Sequence, residues 1–154
     1  MFKKYFRAPV LLILCLIFSS ASLFAQDDIK IEMLESSKAP ISESLHFYKF
    51  QVENVSSRTS EVTINFQNVD CGNVAFEEVS LNYSLLNANK QSTSETIKLN
   101  PRERRVYYLK SSRPANTKLQ SYSCVEIYAT TSGKRVSNAS LTVKQLIPDP
   151  SLEN

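Results

Sequence analysis

The sequence is poor in the residues on which many catalytic and nucleotide-binding sites depend. Its 154 residues include two glycines, one histidine and no tryptophan. Two glycines are too few for a glycine-rich phosphate loop or a dinucleotide-binding fingerprint. A single histidine leaves little for metal binding or acid–base catalysis. With 42% hydrophobic and 21% charged residues, the chain is nevertheless apolar enough to fold.

The first 25 residues have the three-part order of a secretory signal peptide. A basic start with three cationic residues precedes the apolar run Val10–Phe18, and small residues follow as far as Ala25. The run is shorter than the roughly 20 residues that span a bilayer, although an uncleaved anchor is an alternative. We predict a signal peptide over residues 1–25, a secreted or periplasmic protein, and no stable membrane insertion of the mature chain.

Removal of this segment changes the charge of the chain. The segment holds three of the 18 basic residues and none of the 15 acidic ones, so the remainder carries equal numbers of both. The formal charge of +3 is therefore due to the basic residues of the predicted signal peptide. A mature chain with equal numbers of acidic and basic residues lacks the excess positive charge that is typical of nucleic-acid-binding proteins. We therefore expect no nucleic-acid partner.

Two cysteines, Cys71 and Cys124, remain after cleavage, because Cys15 lies inside the apolar run. An even number of cysteines in an exported chain predicts a disulfide, and two free thiols are the alternative. The bridge would close a long loop. The chain-entropy model assigns about 4 kcal/mol of stability to a loop of roughly 50 residues.

Short runs of period-two alternation follow one another along the mature chain, which is typical of half-buried β-strands. The predicted strands are Ile29–Met33, Leu45–Val55, Glu61–Gln67, two in the less clear middle, Tyr122–Thr130 and Val136–Leu146. This makes about seven strands and predicts an all-β fold, a single immunoglobulin-like antiparallel β-sandwich over residues 26–146. A helix over Glu77–Leu86 is an open alternative. Residues 147–154, with two prolines, are expected to form a loose C-terminal tail.

The predicted topology brings the two cysteines together. The third and sixth strands are antiparallel neighbours in one sheet of such a sandwich. Cys71 follows the end of the third strand and Cys124 lies near the start of the sixth, so the two positions should meet.

Alternation along the sixth strand also predicts a core face and a candidate binding face. Val125, Ile127 and Ala129 should face the core. Cys124 should face outward, as should Tyr122, Glu126 and Tyr128. The candidate binding face comprises Tyr122, Glu126 and Tyr128 beside Thr63, Asn65 and Gln67. Tyrosine and amide groups on a flat sheet suit a protein or glycan contact, whereas an ordinary solvated sheet face is the alternative.

Two stretches resemble small secreted immunoglobulin-like or fibronectin type III-like domains of Bacteroidota envelope and secreted proteins. They are Phe47–Phe66, FYKFQVENVSSRTSEVTINF, and Arg113–Thr130, RPANTKLQSYSCVEIYAT. The N-V-S at Asn54 resembles the N-x-S/T corner that such domains place between two strands. The resemblance implies a β-sandwich in an envelope setting, and it carries over no catalytic residue.

The sequence offers no set of residues for catalysis or metal binding. His46 is the only imidazole, no G-x-S-x-G motif occurs, and Cys71, Cys124 and His46 include no closely spaced pair of zinc ligands. The position of His46 in the sequence predicts that this residue lies at the start of a strand near the surface. We therefore expect no catalytic residues, no metal and no cofactor.

These observations favour an exported, non-enzymatic β-sandwich that acts as a binding or structural module of the cell envelope or secretome. Its expected partner is an envelope protein or a glycan. One alternative is a subunit of a surface adhesin or filament that assembles through strand edges. A small hydrolase or metalloprotein is a third hypothesis.

The signal peptide leads to a first prediction. Export should cleave the chain after Ala25, because small residues there follow a basic and then an apolar segment. The intact mass of the exported protein should correspond to a chain beginning at Gln26. A mass that retains residues 1–25 would show that the segment is not removed.

Overall fold

The part of the chain that the structure describes forms nine β-strands, and the longer ones carry alternating apolar residues. The structure is a computed structural model that describes residues 28–72 and 76–152, so the predicted signal peptide lies outside it. The strands are β1 (Ile29–Glu35), β2 (Leu45–Asn54), β3 (Ser60–Asn68), β4 (Glu77–Glu78), β5 (Asn82–Asn87), β6 (Thr96–Leu99), β7 (Arg104–Ser112), β8 (Ser121–Thr131) and β9 (Lys134–Ile147).

The strands form two sheets that pack face to face as a sandwich. The first sheet has the order β1–β2–β7–β5, and the second has β9–β8–β3–β6 with the short β4 beside β8. Strand β4 runs parallel to β8, and the other pairs are antiparallel. The order matches the A-B-E-D and G-F-C sheets of immunoglobulin domains. The all-β sandwich prediction is confirmed.

The count of nine exceeds the predicted seven because two strands are very short. Strand β4 has two residues and β6 has four, so neither is long enough to show a clear alternation. The helix considered over Glu77–Leu86 is wrong, since this stretch holds β4 and most of β5. No helix among the described residues is long and apolar enough to cross a bilayer.

Strand β8 lies in the middle of the second sheet and has the predicted alternation. Ile127 and Ala129 are fully buried, and Val125 is 1% exposed. They pack in the inter-sheet core with Val62 and Ile64 of β3. The alternate positions on β8, those of the predicted binding face, are half-buried. The predicted core face is therefore confirmed.

Asn54 connects the two sheets at one corner. It ends β2 and is fully buried. Its side-chain Nδ2 donates to the carbonyl oxygens of Arg58 at 2.6 Å and Asn100 at 3.0 Å, and its Oδ1 accepts from the Ser56 amide at 3.1 Å. One side chain thus holds the turn after β2 against the turn after β6. A polar group that is buried and fully hydrogen-bonded fixes the corner.

The last strand, β9, pairs with β8 in the second sheet. Ser132 and Gly133 form the two-residue hairpin turn between β8 and β9, both with positive φ, as the sequence signal indicates. Strand β9 continues one residue beyond its predicted end, to Ile147, which is buried. A 3₁₀ turn follows over Pro150–Leu152.

The burial of β8 leads to a prediction about stability. Ile127→Ala should lower the free energy of unfolding by about 2–5 kcal/mol, because it leaves a cavity between the sheets. Tyr128→Ala, one residue away, should cost much less, because its ring lies on the outer face. Urea unfolding of both variants measures the difference. Similar losses would contradict the assigned inner and outer faces of β8.

Candidate functional site

The structure brings all six predicted binding residues to the outer face of the second sheet. In the β3–β8 register, Asn65 lies opposite Tyr128, and Gln67 lies opposite Glu126. Thr63 is the next outward residue on β3, and Tyr122 lies farther along β8 towards β4. We call the side of the second sheet that carries these six residues the outer face. Whether a partner uses this surface stays a prediction.

Glu126 is the centre of a hydrogen-bond network on the outer face. Its carboxylate accepts from Gln67 Nε2 at 2.7 Å and also from Arg135. Burial alone would raise the pKa of Glu126, but hydrogen bonds from Ser140, Gln67 and Arg135 outweigh it and lower the pKa. The carboxylate is therefore ionised at neutral pH and is fixed in place by its neighbours.

A cationic side chain lies over each of the two outer tyrosines. The Arg135 guanidinium is 4.4 Å from the Tyr128 ring centroid, and Lys144 Nζ is 4.4 Å from the Tyr122 ring centroid. Phe76 meets Tyr122 edge-to-face, with 5.5 Å between ring centroids. Such contacts hold the rings in defined orientations, so the outer face presents ordered aromatic rings.

Arg135, Lys144 and Phe76 were not predicted as members of the outer face. The hairpin register places Arg135 opposite Thr130 and Lys144 opposite Cys124. The Ser132–Gly133 turn signal could have suggested the first of these pairs. The second depends on a bulge, because the β8–β9 register shifts between Tyr128 and Thr130.

Hydroxyl and amide groups continue the outer face towards the sheet edge. The hydroxyls of Thr63 and Thr96 are 3.1 Å apart, and Asn65 Nδ2 donates to Thr130 Oγ1 at 3.2 Å. Thr63 is paired with Thr96 on one side and with Thr130 on the other, and Asn65 is the next outward residue along β3. These hydroxyl and amide groups are suited to hydrogen bonding with a partner. They lie beside the tyrosines, whose rings offer apolar contact area.

The predicted disulfide between Cys71 and Cys124 is confirmed, with a Cα–Cα distance of 5.4 Å. The backbone amide of Val69 donates to the carbonyl oxygen of Cys124 at 3.0 Å, which holds the start of the loop against β8. Cys124 lies on the outer side of the sheet, yet it is only 4% exposed, because the bonded loop covers it. The disulfide and its loop therefore lie on the outer face between Tyr122 and Glu126.

The surface location expected for His46 is wrong. The residue lies at the start of β2 as expected, but it is only 3% exposed. Its Nδ1 is 3.1 Å from Ser37 Oγ, and its Nε2 is 3.1 Å from the carbonyl oxygen of Glu43. The connection between β1 and β2 thus folds over the ring and occupies both nitrogens. The alternation along β2 had placed His46 with the buried Tyr48 and was the signal to follow.

A cluster of three polar residues lies inside the sandwich near His46. Tyr48 and Ser111, from the first sheet, both donate to Oε1 of Gln145 on β9, at 3.3 and 2.8 Å. Burial raises the pKa of Tyr48 to about 12, so its hydroxyl stays protonated and can donate at neutral pH. All these groups are enclosed and paired with one another, so they join the sheets and offer no open site.

Among known proteins, the similarity is limited to solved structures. No protein-family model matches the sequence, and no curated protein matches it. A FixG-related protein from Vibrio parahaemolyticus superposes with a TM-score of 0.51 at 10% identity, over 80% of this chain and 99% of that chain. At this identity, the similarity supports the β-domain fold alone.

Two further solved structures are more distant. A conjugate transposon protein from Bacteroides vulgatus gives a TM-score of 0.44 at 8% identity, over 84% of this chain and 91% of that chain. The apo PCuAC domain of PmoF2 gives 0.42 at 13% identity, over 80% of this chain and 91% of that chain. Neither similarity is close enough to support a functional conclusion.

The disulfide leads to a prediction at this site. Cys124→Ser should lower the melting temperature clearly, since a loop with a sequence separation of 53 residues is no longer closed. Cys71→Ser should give a similar loss, because both variants break the same bond. Thermal melts of the three proteins measure this. Two titratable thiols in the oxidised wild-type protein would contradict the bond itself.

Proposed function

We propose that the protein is an exported, non-enzymatic binding module of the cell envelope or secretome. Its disulfide suits an oxidising compartment outside the cytoplasm, and the N-terminal sequence has the order of a signal peptide. The partner is an envelope protein or a glycan that docks on the outer face of the second sheet.

The observation that carries this proposal is the pair of ordered tyrosines on the outer face. Tyr122 and Tyr128 are half-buried, and a cation stabilises the ring of each. They are six positions apart on one strand, or about 20 Å at the usual rise per residue. Tyrosines fixed in this way offer contact area at a low entropic cost of binding.

The polar residues between and beside the tyrosines suit the rim of such a contact. Glu126 is a fixed negative charge, and Asn65 and Gln67 add amide groups on the neighbouring strand. A contact face of this kind combines aromatic area with directional hydrogen bonds. The face is also built on strands rather than loops, so a partner would meet a surface that is already ordered.

Site-specific photocrosslinking in the producing cell tests the outer face directly. A photoreactive phenylalanine analogue at position 67 should give a discrete adduct, because Gln67 is exposed on this face. The same analogue at position 30 is the matched control, since Lys30 is exposed on the first sheet. The adduct from position 67 should disappear when Tyr128→Ser is added.

Two outcomes would contradict the proposal. One is the absence of an adduct from position 67 while the folded protein is present at normal levels. The other is the same set of adducts from positions 67 and 30. A circular dichroism spectrum of each variant establishes that the fold is retained.

Assembly through strand edges is a separate hypothesis with its own support. Strands β5 and β6 each have one neighbouring strand, and the bridge between Leu86 and Ser92 covers part of the other edge of β5. Unpaired edge groups of this kind can pair with another chain. These edges are short, with six and four residues. If the protein is an adhesin or filament subunit, its particle mass in light scattering should rise with concentration. A constant monomer mass would oppose this hypothesis.

A further inference from the structure

The outer face of the first sheet holds a small aromatic and basic cleft. Its floor consists of Phe47 and Lys49 of β2 and Tyr108 of β7, and residues 35–39 form one wall. Lys90, from the turn after β5, also lines it. The volume of the cleft is about 230 Å³. It lies on the side of the sandwich opposite the outer face of the second sheet, and the following inference does not depend on that face.

The turn after β5 holds Lys90 in position over the floor. The Lys90 amide donates to the carbonyl oxygen of Asn87 at 2.9 Å, and Asn87 Oδ1 accepts from the Gln91 amide at 3.1 Å. Lys90 Nζ lies 4.8 Å from the Phe47 ring centroid and 5.3 Å from that of Tyr108. The ammonium group is thus held over two rings by a hydrogen-bonded turn.

The cleft carries an excess of positive charge. Three lysines line it, and Glu35 is its only acidic residue. Lys38 pairs with Glu35 at 2.5 Å, whereas neither Lys49 nor Lys90 has an ion-pair partner in the part of the chain that the structure describes. Lys38 foremost, and then Lys49 and Lys90, lower the pKa of Glu35. An anionic ligand would complement the two remaining ammonium groups.

We propose that this cleft binds a uronic acid residue of an acidic polysaccharide. The carboxylate of the sugar would lie between Lys49 and Lys90. Its ring would pack beside the Lys90 ammonium, against the parts of Phe47 and Tyr108 that line the cleft. The hydroxyl of Ser36 in the wall is exposed and is suited to a sugar hydroxyl. The cleft is smaller than the roughly 300–1,000 Å³ of drug-sized sites, so one ring suits its volume.

An acidic peptide fits the surroundings of the cleft less well. One common mode of peptide binding adds an extended peptide to a free strand edge, where its backbone finds hydrogen-bond partners. Strand β2 is paired with β1 and β7 on its two sides, and β7 is paired with β2 and β5. The floor therefore offers side chains and no free backbone edge. Side-chain recognition of one charged ring matches this arrangement better.

Calorimetric titration of the mature protein with defined oligosaccharides tests the proposal. The probes are trimers of galacturonate and of mannuronate, and their methyl esters are controls that remove only the charge. We expect at least one trimer to bind, with an affinity at least tenfold above that of its ester. Binding should weaken as sodium chloride is raised, since charge contributes to it.

Matched lysine variants locate the binding. Lys90→Gln and, separately, Lys49→Gln should weaken binding about tenfold or more. Lys98→Gln changes the charge equally at an exposed position on the second sheet and should have no effect. Both Lys90 and Lys98 lie outside the core, so the fold should survive, which thermal melts establish.

Three results would overturn the proposal. The first is the absence of binding by both trimers at millimolar concentration. The second is equal binding of sodium sulfate, which would show an anion site without recognition of a sugar. The third is an equal loss of affinity in Lys98→Gln, which would show that overall charge, and not the cleft, attracts the ligand.

Discussion

The strict alternation of strand β8 between core and surface is the constraint on which the rest of the structure depends. Every second residue of this central strand packs between the sheets, with Ile127 fully buried. The residues between them present the tyrosines and Glu126 on the opposite side. Because the side-chain period of a strand is two, a one-residue slip would exchange the two sets. The disulfide at Cys124 and the β3 pairing both hold this register.

Two outer surfaces of different character result from this framework. The second sheet presents tyrosines, amides and one fixed carboxylate, whereas the first presents lysines around Phe47 and Tyr108. The interior between them is closed: its polar residues, such as Gln145 and His46, are bonded to neighbours in the fold. The exposed strand faces are the surfaces on which we propose that partners bind.

The sequence predicted what depends on alternation within one strand. The core face of β8 is of this kind. The β3–β8 pairing and the meeting of the two cysteines were predicted instead from the strand order of an immunoglobulin-like sandwich, in which these strands are neighbours. What it did not predict depends on contacts between distant segments. The position of Lys90 over Phe47 is an example, because it needs a turn to fold back across the sheet. The burial of His46 is a different case: the alternation along β2 indicated it, and its hydrogen bonds are made to residues of the preceding connection.

Hydroxyl-radical footprinting of the mature protein, alone and with envelope material from the producing cell, tests most directly whether the outer face of the second sheet is the contact surface. In the free protein, Tyr122 and Tyr128 should be oxidised, while the buried Tyr48 and Tyr107 stay protected. Added envelope material should protect Tyr122 and Tyr128 and leave the buried pair unchanged. Equal oxidation of Tyr122 and Tyr128 with and without that material would contradict the account.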